Sequence, residues 1–147
     1  MIVPIVTVND PNSSILRANA QLVRNPELVK EIVENLFDTL ANSKGVGLSA
    51  PQIGISLRIF VVSYEGWKQA FVNPEIIDAS KEKVSLPEGC LSIPGVEVSV
   101  PRAKTILMDY FDEYGNAFRK RFFRTMKARI LQHEFDHLVG KLITDYK

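Results

Sequence analysis

Cysteine is nearly missing from this 147-residue chain. The one residue present, Cys90, cannot make an intrachain disulfide, which excludes a disulfide-stapled fold and suits a reducing compartment. Histidine is also scarce, with two residues, His133 and His137, both near the carboxyl end. Neither sign of charge prevails: 18 Lys+Arg stand against 17 Asp+Glu, a net charge of +1. That balance gives no reason to expect direct nucleic-acid binding or an anionic membrane partner. No apolar run approaches the ~18 residues needed to span a bilayer. The opening MIVPIVTV is apolar but has no basic leader and is interrupted by Pro4, a poor match to a signal peptide. No repeat, low-complexity tract or linker divides the chain. With 46% apolar and 24% charged residues, the expectation is one soluble intracellular domain over residues 1–147.

Asn25-Pro26 reads as a helix cap followed by proline at the first helical position. Leu28, Ile32, Leu36 and Leu40, with Val29, Val33 and Phe37, then recur at helical spacing, predicting an amphipathic helix over residues 26–42. Residues 58–63, 69–73, 96–100, 105–111 and 117–123 are short, β-branched or aromatic runs separated by turn material such as Asn73-Pro74. Short connections make these strands mostly antiparallel. A second helix is predicted over residues 125–139, with Gly140 as its cap. Leu131, Phe135 and Leu138 lie on one face and Met126, Ile130, His133 and His137 on another, so this helix is buried. The fold class is α+β: antiparallel sheets wrapped around a central C-terminal helix, with the N-terminal amphipathic helix packed outside.

The chemistry concentrates in three segments. His133-Glu134-Phe135-Asp136-His137 is HExxH on a helix. Residues four apart stand one turn above each other, so both imidazoles can reach one metal ion. Glu134 lies about 100° around the helix from His133, a carboxylate beside the ion but not bound to it. Two core histidines bonded to carbonyls are the bland alternative. A third ligand must be Cys90 or a distant carboxylate, since no further histidine exists. Cys90 lies in PEGCLSIP, framed by glycine and proline bends that let backbone approach a ligand closely. Residues 45–54, GVGLSAPQIG, superficially fit a dinucleotide loop, but they follow a helix and Pro51 prevents a phosphate-binding helix from starting there. An extended strand able to pair with a peptide substrate is the better reading.

Together these segments resemble the peptide deformylase family, whose GxGLAAPQ, EGCLS and QHExDH signatures are matched by residues 45–52, 88–92 and 132–137. The resemblance extends through RIFVV, FVNPE and LVGKL, and so over most of the chain. It implies that Cys90, His133 and His137 hold one divalent metal, Fe(II) in the cell, with Ni, Co or Zn as substitutes. It also implies removal of the formyl group from the N-terminal formylmethionine of newly made polypeptides, releasing formate. Glu134 then acts as acid and base, and the Gln52 amide and Leu91 N–H stabilise the oxyanion. A methionine pocket is expected from Val46, Leu86, Met126, Ile130 and the aliphatic part of Arg129, with Gly47 and Gly89 offering backbone groups to the peptide. Glu88 and Arg102 are expected to pair behind the metal.

Two positions depart from the family pattern. Ser49 replaces the usual alanine, with little loss expected. Glu97 stands where many members carry a substrate-contacting arginine, reversing the charge that meets the peptide. The chain ends at Lys147, seven residues after Gly140, and in that it resembles compact, bacteriophage-encoded members. The expected partner is a formylmethionyl nascent peptide near the ribosome exit, met by a monomer in the bacterial or host cytoplasm. The alternatives are an HExxH metallopeptidase and a non-catalytic protein that binds peptide termini.

Overall fold

A computed structural model describes residues 1–147. The Asn25 side chain accepts the Glu27 N–H at 3.1 Å, and Pro26 follows it, as the capping pattern requires. The predicted 26–42 helix begins with a tight 3₁₀ turn, Pro26–Leu28, and its α-helical part, α1, spans Val29–Ala41. Val29, Ile32, Val33, Leu36 and Leu40 form its buried stripe.

Seven strands follow: β1 (Gly47–Ser49), β2 (Ile59–Tyr64), β3 (Trp67–Ala79), β4 (Lys83–Cys90), β5 (Ile93–Ala103), β6 (Thr105–Phe111) and β7 (Ala117–Arg124). The order β1-β2-β3-β6-β7 forms one antiparallel sheet, and β4 and β5 form a separate antiparallel hairpin. Three details differ from the sequence reading. β4 was not among the predicted strands: Pro87 and Gly89 weaken its strand signal, and most of its residues are exposed. Asn73-Pro74 is not a turn but a bulge inside β3, where Asn73 takes φ +48° and its side chain bonds the Val23 backbone in both directions, at 2.8 and 3.1 Å. Residues 45–54 are extended only over β1, after which Ala50–Ile53 coil into a 3₁₀ turn.

Helix α2 spans Thr125–Leu138. The side-chain alternation of β2 divides the core between the two helices. Phe60 and Val62 pack with Ala128, Ile130, Leu131 and Leu138 of α2, whereas Ile59 and Val61 pack against α1. The large sheet thus lies between α1 and α2. A third apolar cluster joins Val98 and Val100 of β5 to Leu16, Leu142 and Ile143, fastening the hairpin over both ends of the chain. Gly140 ends the α2 region at φ +75°, where a Cβ would lie 2.4 Å from the Arg17 carbonyl oxygen.

Candidate metal centre and substrate cleft

Burial of α2 between the large sheet and the hairpin points one of its faces at the end of β4. His133 and His137 lie one turn apart there, with ring centroids 5.1 Å apart. Cys90, the last residue of β4, brings its Sγ to 3.5 Å from His137 Nε2. One donor atom from each of Cys90, His133 and His137 falls within 4.8 Å of the others. His133 Nδ1 is engaged by Glu88 Oε1 at 2.8 Å, which leaves its Nε2 for the cluster. Two buried polar atoms, Glu134 Oε1 and His137 Nδ1, have no protein partner. A cysteine sulfur and two imidazoles with polar capacity left over fit a divalent transition metal held by three protein ligands.

The electrostatics favour positive charge on the His133 ring. Burial alone would raise the Glu88 pKa, but hydrogen bonds from His133 and Arg102 and their charges outweigh it, holding the carboxyl at about 2. Burial would lower His133, yet Cys90, Glu88 and Glu134 together push it up to about 10. Those groups stabilise a positive charge on the ring, and a bound cation would meet the same field. His137 is driven well below the ordinary histidine value by burial and then by the charges of His133 and Arg102, so it is a neutral donor. Burial raises Glu134 to about 7, which suits a group that exchanges protons near neutrality. Its Oε2 lies 3.9 Å from His133 Nε2.

The Glu88–Arg102 pair forms as expected, with contacts of 2.9 and 3.0 Å. Arg102 continues to Asp136 at 2.6 Å, and Asp136 accepts from the Tyr146 hydroxyl at 2.6 Å. Neither Asp136 nor Tyr146 was singled out from sequence, because nothing local ties the end of the chain to β5.

The cluster opens onto a cleft of about 740 Å³. Val46, Gly47, Leu86, Gly89, Met126, Arg129 and Ile130 all line it, as do Gln52, Cys90, Leu91, His133 and Glu134, while His137 lies behind. Val46, Leu86 and Met126 are 37–40% exposed despite their apolar side chains, leaving apolar surface free at the mouth. Lys44 and Glu97 line the same cleft, and of the two only Glu97 carries a signal in the sequence. Gln52 is buried, and its amide orientation is fixed from both ends. Its Oε1 accepts from the Ser49 N–H and hydroxyl, both at 3.0 Å, while Nε2 donates to Ser92 Oγ at 3.1 Å and faces Cys90 Sγ at 3.8 Å. The Ser49 hydroxyl therefore gives Gln52 Oε1 a second donor that the usual alanine would lack. Ser92, inside the EGCLS segment, is a further residue of the site, marked by no signal in the sequence beyond its place in that segment.

Two helix-borne imidazoles, a cysteine sulfur and a buried carboxylate at an apolar cleft are the equipment of a metal-dependent hydrolase. Residues 2–147 match the polypeptide deformylase family. A peptide deformylase of Dictyoglomus turgidum is 45% identical over 99% of this chain and 92% of its own. The crystal structure of the Thermotoga maritima peptide deformylase superposes with a TM-score of 0.92 at 37% identity, covering 99% of this chain and 97% of that one. The Acinetobacter baumannii class I type b peptide deformylase, solved bound to Met-Ala-Ser, gives a TM-score of 0.92 at 30% identity, covering 100% of this chain and 99% of that one. The chain belongs to the polypeptide deformylase family, whose members are metal-dependent enzymes, and its activity is peptide deformylation. No helix is long and apolar enough to cross a membrane.

Proposed function

We propose that residues 1–147 act as one catalytic unit that removes the formyl group from N-formylmethionyl nascent peptides, with Cys90, His133 and His137 holding Fe(II) in the cell. Ni, Co and Zn suit the same donors. When bound, the cation supplies Lewis acidity, polarising the formyl carbonyl and making water a stronger acid. Glu134 takes the proton from the attacking water, whose oxygen adds to the formyl carbon. Gln52 Nε2 and the Leu91 N–H donate to the carbonyl oxygen as its negative charge grows. Glu134 then gives its proton to the amine nitrogen as the C–N bond breaks, leaving formate and a free methionine terminus.

The methionine side chain enters the apolar mouth formed by Val46, Leu86, Met126, Ile130 and the stem of Arg129, while Gly47 and Gly89 pair with the peptide backbone. The Acinetobacter relative bound to Met-Ala-Ser supports a methionine-first peptide here. The reading also takes the enzyme as a cytoplasmic monomer that meets its substrate near the ribosome exit. One observation carries the reading: three donor atoms within 4.8 Å of one another, beside the buried Glu134. The test is Glu134→Ala, which keeps its metal and loses turnover. Wild-type-like formate release from the metal-loaded variant overturns the assignment. Activity that decays in air in the native protein but survives with Ni identifies iron.

A further inference from the structure

One turn before His133 on α2, a second charged group is buried. Arg129 is 6% exposed. Its Nη1 donates to Glu88 Oε2 at 2.5 Å and to the Val100 carbonyl at 2.9 Å, and its Nη2 donates to the Val84 carbonyl at 2.5 Å. Val84 belongs to β4 and Val100 to β5. The helix that carries both histidines is therefore tied by one side chain to both strands of the hairpin that carries Cys90 at its turn.

The same side chain completes the shell of Glu88. Glu88 Oε1 accepts from Arg102 Nη2 and His133 Nδ1, at 2.9 and 2.8 Å, and Oε2 accepts from Arg102 Nε at 3.0 Å and from Arg129. A carboxylate offers about four acceptor sites, so every one is used. Turning the carboxylate to release His133 would break bonds to both arginines. Arginine suits this place because its planar fork serves a carboxylate and two carbonyls at once, which a lysine ammonium cannot do in the same geometry.

We propose that Arg129 is a positioning residue for the metal centre. It braces α2 against both strands of the β4–β5 hairpin and closes the last acceptor of Glu88, which keeps Cys90 within reach of the histidines and holds His133 with Nε2 toward them. This role is additional to any contact its stem makes with substrate, and it rests on the metal reading given above. Loss of a partner behind a metal ligand typically costs about 10- to 100-fold in affinity or activity.

The test uses the cobalt-loaded full chain with Arg129→Met, which keeps an aliphatic stem beside the cleft, and Arg129→Lys, which keeps a cation with shorter reach. The readouts are the visible Co(II) spectrum, the rate of cobalt release to a chelator, and kcat and KM for a formyl-Met peptide. Arg129→Met is expected to release cobalt about tenfold faster, with an altered spectrum and lowered kcat, and with KM changed by less than about twofold. Arg129→Lys is expected to recover part of the retention. Wild-type release and spectrum accompanied by raised KM would reduce Arg129 to a pocket wall and overturn the proposal. Should Arg129→Met fail to fold, Arg129→Lys decides alone: faster release with an altered spectrum supports the brace, and wild-type release overturns it. A wild-type chain that takes up no cobalt would instead overturn the metal reading on which the brace depends.

Discussion

Gly47 lies so close to Glu134 that a Cβ built on it would stand 2.6 Å from Oε2 and 3.0 Å from Cγ. The glycine at this position of β1 is the space that the carboxylate occupies. Gly47→Ala pushes the whole Glu134 side chain out of place, not merely its tip, and displacements of about 1 Å at a reacting group cost on the order of 10²-fold. The expected result is a loss of that size in kcat, with metal content unchanged. Formate release and metal analysis on the same preparation check it, and near-normal turnover would show that Glu134 can work from another position.

The end of α2 sets a second steric limit. Gly140 combines φ +75° with a Cβ position 2.4 Å from the Arg17 carbonyl oxygen, and backbone cannot step aside as a side-chain tip can. The Ala20 N–H also donates to the Leu138 carbonyl at 2.8 Å, so the 17–20 segment is fixed against this turn. Gly140→Ala should destabilise the fold by at least about 2 kcal/mol, combining left-handed strain with the collision. Urea unfolding measures it. A loss below about 0.5 kcal/mol would mean that the 17–20 segment moves away freely.

Ser49 tests how firmly Gln52 is held. Its hydroxyl and its backbone N–H both donate to Gln52 Oε1, at 3.0 Å each. Ser49→Ala removes only the hydroxyl, and the remaining N–H still opposes rotation of the amide. A typical net hydrogen bond is worth about 1 kcal/mol, and part of the restraint persists, so kcat should fall by less than about threefold. Steady-state formate release decides the point, since a tenfold loss would give the hydroxyl a role beyond orienting the amide.

Local pattern made some of this legible and long-range contact hid the rest. The i, i+4 spacing of His133 and His137 fixes their common face on any helix, so the centre of the site could be read directly. Cys90 is readable because the chain offers no third histidine and its segment is framed by glycine and proline, whereas Gln52 is legible only through the resemblance of its segment to the family signature. β4 escaped because Pro87 and Gly89 mimic a loop and its exposed residues lack a two-residue apolar rhythm; its pairing partner β5 makes it a strand. Asn73-Pro74 carries a turn's residues, but the Asn73 side chain is spent on Val23, fifty positions earlier, and the chain continues as a bulged strand. The family resemblance implies only an apolar stem for Arg129 at the pocket. The fate of its guanidinium depends on carbonyls in β4 and β5 that no local pattern reports.

Arg17 and Asp145 fasten the last turn of the chain, with Arg17 Nη1 donating to Asp145 Oδ2 at 2.6 Å and the Leu142 N–H donating to the same oxygen at 3.1 Å. The Arg17 bond is the main reason that the Asp145 carboxyl titrates below its ordinary value of 3.8, against a smaller opposing effect of burial. A carboxyl depressed by folding contributes stability that is fully present above its unfolded pKa and is lost as pH falls through the lower folded value. The contribution should therefore vanish as pH drops below about 3.8. Arg17 and Asp145 side chains are 50% and 33% exposed, so solvent screening holds the gain below about 1 kcal/mol. Asp145→Asn should lower the urea midpoint slightly near neutrality and converge with wild type in strong acid. Since Tyr146 of the same turn bonds Asp136, amide protection across Ile143–Tyr146, taken relative to the intrinsic exchange rate at each pH, should fall slightly over the same pH range in wild type. A constant gap between the two proteins from neutral to strongly acidic pH would show that Asp145 acts by packing and not by charge.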